Sequence, residues 1–167
     1  MGLLSFMKSA GEKLFGRGEA HAAQQAAAAD PTPDNTAAAN AAAATAIKGY
    51  IASMGLAADG LDVQVEAATE TVTVTGQAAT QEIREKIVLC CGNIQGVSNV
   101  DDHMTVAEPT DESQWYEVVS GDNLSKISKE FYDTPNKYMA IFEANKPMLS
   151  HPDKIYPGQL LRIPAEA

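Results

Sequence analysis

The heptapeptide Cys91-Gly92-Asn93-Ile94-Gln95-Gly96-Val97 divides two incompatible periodicities, so any fold of this chain has to turn there. Ahead of it, Ile83, Ile87, Val88 and Cys91 keep the spacing of one helical face, and from Val97 to Val106 the pattern is that of a strand. Gly92 stands just past the helical pattern, where a left-handed backbone relieves the orphan carbonyls of a helix end. Gly96 permits a second tight reversal.

The segments before this turn complete a unit. Asp34, Asn35 or Thr36 can cap a helix that starts in an alanine run and carries Ile47, Tyr50, Ile51 and Met54 on one face before Gly55 ends it. Residues 61–66 and 71–76 then alternate apolar and polar side chains around a turn, the period of a half-buried hairpin. Helix, two strands, helix and strand over 35–106 predict a small α+β domain whose sheet is covered by helices on one face.

A second unit follows a short acidic linker at 107–113 that contains Pro109. Over 114–165 the pattern reads strand, helix, helix, strand: Trp115–Val119, a turn and cap at Ser120–Asn123, the stripes Leu124/Ile127/Ser128/Phe131 and Tyr138/Ile141/Phe142/Asn145, and Leu160–Ile163 closed by Pro164. The fold class is therefore α+β in two small domains, a three-stranded sheet domain and a βααβ domain. At the other end, residues 1–15 form an amphipathic segment expected to dock on the first domain, with Gly11 weakening its helix by about 1 kcal/mol relative to Ala. Residues 16–34 read as a flexible Ala/Pro linker with no apolar stripe to bury.

Charge and composition remove several functions. With 22 acidic against 12 basic residues and a formal net charge of -10, the chain lacks the basic clusters that phosphate backbones require, so no nucleic-acid partner is expected. The apolar run after Met1 is stopped by Lys8, and no stretch is long enough to span a bilayer, so the reading is a cytoplasmic monomer without membrane insertion. Cys90 and Cys91 suit buried reduced thiols, and His21, His103 and His151 are too scattered for zinc. Asp122, Asp153, His151 and Lys154 lack any nucleophile or phosphate-loop context, so the chain reads as no enzyme.

Two resemblances sharpen this. The hairpin ending Val72-Thr73-Val74-Thr75-Gly76, the helix after it and the run Ile94-Gln95-Gly96-Val97-Ser98-Asn99-Val100-Asp101-Asp102 resemble a BON domain, which implies a binding module. Val118–Ser128, Ile141–Pro147 and Ile155–Pro164 resemble the three blocks of a LysM domain. That resemblance implies a groove for N-acetylglucosamine polymers such as peptidoglycan, lined by Gly121, Asp122, Asn123 and Leu124 on one side and by Ile155, Tyr156 and Pro157 on the other. Turn and core roles explain the same residues.

With the segment from Met1 to Leu14, the pair of domains is similar to the small bacterial cytoplasmic potassium-binding family, which implies potassium as the ligand, an ion-sensing role of the kind used in osmotic stress, and a more compact shape when the ion is bound. A backbone turned at Gly92 and Gly96 can aim several carbonyls at one point, and uncharged oxygens suit a weakly hydrated cation; an ordinary helix-to-strand connection is the simpler account of the turn alone. The resemblance implies carbonyls of Gly92, Ile94 and Gly96 on one side of a potassium site and carbonyls of Met7, Ala10 and Glu12 on the other. Asp101 and Asp102 stay outside it, because carboxylates favour harder ions. A glycan-binding module and a non-catalytic adaptor that holds a protein through the LysM unit remain the alternatives.

Overall fold

A computed structural model describes residues 18–165. Two helices come first, α1 (Gly18–Ala29) and α2 (Pro33–Ser53), packed on one another. The stretch expected to be a flexible linker therefore holds a helix. Alanine is the strongest helix former, and Ala20, Ala39 and Ala43 bury methyl groups that leave almost no apolar signal in the sequence. The cap of α2 also lies earlier than expected: Thr32 Oγ1 accepts the Asn35 amide at 3.2 Å, and Pro33 takes the first helical position, where its missing N–H costs nothing.

The first sheet contains β1 (Asp59–Glu66), β2 (Thr71–Thr80) and β3 (Asn99–Glu108), in that spatial order. β1 and β2 are an antiparallel hairpin in the register Val63↔Val74 and Val65↔Val72. β2 and β3 are parallel, so α3 (Gln81–Gly92) is the crossover between them. Thr80 caps α3 by accepting the Ile83 amide at 3.3 Å. Ile47 and Ile51 of α2, Val63, Val72, Val74 and Met104 of the sheet, and Ile87, Cys90 and Cys91 of α3 form one core, joined by Ile94 and Val97 from the turn. Burying each large aliphatic there contributes roughly 1.5–3 kcal/mol. Burial pushes both thiols up to about 12, so Cys90 and Cys91 act as small apolar residues.

The second domain pairs β4 (Gln114–Glu117) with β5 (Leu160–Ile163) antiparallel and covers them with α4 (Leu124–Tyr132) and α5 (Tyr138–Ala144). Its core is separate: Val118, Leu124, Ile127, Ile141, Phe142, Leu149, Leu161 and Ile163. The two cores meet where β5 lies against α3. Among the described residues, no helix is long and apolar enough to cross a membrane.

Candidate functional site

The turn after α3 is built differently from its sequence expectation. Gly92 is the last residue of the helix, and it is absent from the glycines with positive φ; Asn93 is the cap, with φ -98° and ψ 9°. Gly92 lies against the tip of a side chain from the second domain: a Cβ there would stand 2.8 Å from Leu160 Cδ2, which would have to swing aside. Gly96 is the left-handed position, with φ +93° and open space around its missing Cβ. Between them Ile94 is buried in the first core. The amides of Asn93, Ile94 and Val97 donate to the carbonyls of Leu89 at 3.2 Å, Cys91 at 3.3 Å and Ile94 at 3.1 Å. Among the described residues, no hydrogen bond runs to the carbonyls of Gly92 and Gly96.

Both ends of the turn are clamped by distant residues. Downstream, the Glu70 carbonyl accepts the amides of Ser98 at 2.8 Å and Asn99 at 3.2 Å, and its carboxylate takes the Ser98 hydroxyl. Upstream, the Asn93 side chain donates to the Leu160 carbonyl at 3.0 Å and accepts the Leu160 amide at 2.8 Å. One turn residue thus holds both polar groups of a β5 residue. No sequence pattern marks Asn93 for this role.

The interface beside it is also polar and fully matched. Glu85 of α3 is buried, its Oε1 accepting the Gln81 side chain and the Ser113 amide at 2.9 Å each and its Oε2 accepting Arg162 Nε of β5. Burial works against the charge on Glu85, but these hydrogen bonds outweigh it and hold its carboxyl below the usual carboxylate range. Nearby, Arg84 reaches Asp102 at 2.9 Å and Glu112 at 3.6 Å. A cleft of about 730 Å³ opens between the domains, with Gly92, Asn93 and Ile94 on one wall and Trp115, Tyr156 and Leu160 on the other. Gly96 lines a second hollow, of about 410 Å³, beneath Gln24, Ala39 and Ala43.

These two domains match known families in the same order: residues 39–108 match the BON domain and residues 116–164 the LysM domain. Over 166 residues, 99% of this chain and 100% of the relative, the sequence is 43% identical to the potassium binding protein Kbp of Escherichia coli O6:H1 (strain CFT073). The chain belongs to the Kbp family. A second relative, an uncharacterized protein of Deinococcus radiodurans, is 39% identical over 82 residues, 42% of this chain and 32% of its own.

Within the Kbp-family frame Gly92 and Ile94 line the interdomain cleft and Gly96 the second hollow, while Met7, Ala10 and Glu12 lie outside the described residues. The residues expected to face a glycan are largely committed. Leu124 is in the second core; Asn123 Oδ1 caps α4 by accepting the Lys126 amide at 2.9 Å; Asp122 accepts the Tyr116 hydroxyl at 2.8 Å and the Val119 amide at 2.9 Å. Gly121 offers its carbonyl to Lys126 Nζ at 2.8 Å. Ile155 packs on the same core, Pro157 precedes Gly158, whose N–H donates to the Val118 carbonyl at 2.7 Å, and Tyr156 lines the interdomain cleft.

Proposed function

We propose that this chain binds potassium, as the name of its Kbp relative states of that protein, and that it does so as a non-catalytic cytoplasmic sensor that becomes more compact with the ion bound. The observation that carries this reading is the 43% identity along nearly the whole of both chains. In this proposal carbonyls of Gly92, Ile94 and Gly96 hold one side of the ion and carbonyls of Met7, Ala10 and Glu12 the other, the segment 1–15 docking on the first domain to bring them in. The turn suits that role. The carbonyls of Gly92 and Gly96 carry no hydrogen bond among the described residues, and the Ile94 carbonyl, which accepts one amide, has a second lone pair. The nearby carboxylates are occupied: Asp102 by Arg84 at 2.9 Å and the Met104 amide at 2.9 Å, Asp101 by His103 at 3.1 Å. A site made of neutral oxygens favours a large, weakly hydrated monovalent ion over magnesium or calcium.

Thermal unfolding of the dialysed chain in choline buffer, with potassium, rubidium, sodium and magnesium chloride titrated at constant ionic strength, tests it. A saturable rise in midpoint with potassium and rubidium and little with sodium is expected; at a hundred times the dissociation constant the gain is about 2.7 kcal/mol. Equal small shifts for every salt would show only screening of an acidic surface and would refute the reading.

A further inference from the structure

Asn93 stands between two of the carbonyls given to the ion, yet its side chain belongs to the hydrogen bonds of the other domain. Its amide group donates to the Leu160 carbonyl at 3.0 Å and accepts the Leu160 N–H at 2.8 Å, 67 residues along the chain. Two antiparallel bonds to one residue allow little rotation, so a seated Leu160 fixes the Asn93 side chain. Its backbone is fixed in turn by the bond from its own N–H to the Leu89 carbonyl at 3.2 Å. The neighbouring residue adds to this, because Leu160 Cδ2 lies against Gly92, 2.8 Å from where a Cβ would stand. β5 therefore rests on two consecutive residues of the turn. A further link, Glu85 with Arg162 and Ser113, grips the second domain from the middle of α3 and makes no hydrogen bond to the turn.

We propose that Asn93 is the positioning residue through which ion occupancy of the turn and seating of the second domain control one another. The proposal rests on the potassium reading. An ion that orders the backbone from Gly92 to Ile94 tightens the hold on Leu160, and release of β5 weakens ion affinity by the same factor. The second domain thus acts on the ion chiefly through the Asn93 side chain.

Amide hydrogen exchange, followed by NMR on the full unaltered chain in saturating potassium and in sodium at equal ionic strength, reads this directly. The Leu160 N–H, which goes to Asn93, is compared with the Gly158 N–H, which goes to the Val118 carbonyl at 2.7 Å inside the second domain. Potassium is expected to slow Leu160 by about tenfold or more while Gly158 changes by less than about twofold. Equal factors at both amides, in a protein whose midpoint rises with potassium, would overturn the coupling and leave the potassium reading standing. No midpoint rise would overturn both. Asn93→Ala is expected to raise the half-saturating potassium concentration by about tenfold, and Asn93→Gln, which keeps both amide groups on a longer arm, to recover part of it. Half-saturation unchanged in Asn93→Ala would refute the proposal. The exchange experiment decides alone if that variant does not fold.

Discussion

The turns at 92–97 and 119–123 are both glycine-containing loops beside a helix, and they differ in how far their hydrogen bonds reach. At 119–123 the hydrogen bonds close locally: Asp122 holds the Val119 amide and the Tyr116 hydroxyl, Asn123 caps α4, and Lys126 covers the Gly121 carbonyl. At 92–97 the local bonds of Asn93, Ile94 and Val97 are joined by support from afar, from Leu160 at one end and Glu70 at the other, and two glycine carbonyls stay open among the described residues. A turn that completes its own hydrogen bonds is a rigid part of its domain. One that borrows them responds to whatever moves its lenders, which is the property a switch needs.

The contrast is broken most severely at the interface. Glu85→Gln leaves the buried Arg162 without its counter-charge, and a loss of about 3–5 kcal/mol is expected, read as a lowered midpoint in chemical unfolding. If the 92–97 turn leans on the second domain, this variant also weakens the potassium response although it touches no proposed ligand; an unchanged response would erase the distinction between the turns. Acid probes the same residue. Because the folded carboxyl of Glu85 is held below its ordinary value of 4.5, its contribution is complete above that pH and disappears as pH falls through the lower folded value, so wild type loses stability there and Glu85→Gln loses less.

Smaller effects separate the two glycines of the first turn. Gly92→Val places side-chain atoms where Leu160 lies, at an expected cost of about 1–3 kcal/mol from overpacking. Gly96→Val has room but must adopt φ +93°, a strain of similar size, about 1–3 kcal/mol. Both are expected to abolish the potassium-dependent rise in midpoint, and a retained rise in both would remove the ion from this turn. Only Gly92→Val should speed exchange at the Leu160 amide. The mildest change is in the second turn: Asn123→Ala removes a helix cap for about 1 kcal/mol and is expected to leave the potassium half-saturation unchanged, measured in the same titration.

Much of this architecture could be read from periodicity. The hairpin, the helix before the glycine turn and both stripes of the second domain follow from spacings of two and 3.6 residues, which are local properties. Helix α1 escaped that reading because an alanine face contributes helix propensity without apolar contrast. Thr32 escaped it because a proline after a threonine looks like the end of an extended segment as readily as the start of a helix. Gly92 departs from its sequence expectation: its backbone is not left-handed, and its missing side chain lies against the tip of Leu160 from the other domain.

Residue types and their local order determined on their own that this chain makes two small α+β domains, with a glycine turn between a helix and the strand that follows it. Which groups that turn would serve was decided only in three dimensions. Asn93 meets Leu160 across 67 positions and Glu85 meets Arg162 across 77, and nothing in either sequence neighbourhood encodes the other. Their pairing follows from how two separately formed cores come to rest against each other. Contacts of that range depend on the packing of the whole molecule, and local sequence patterns carry no record of it.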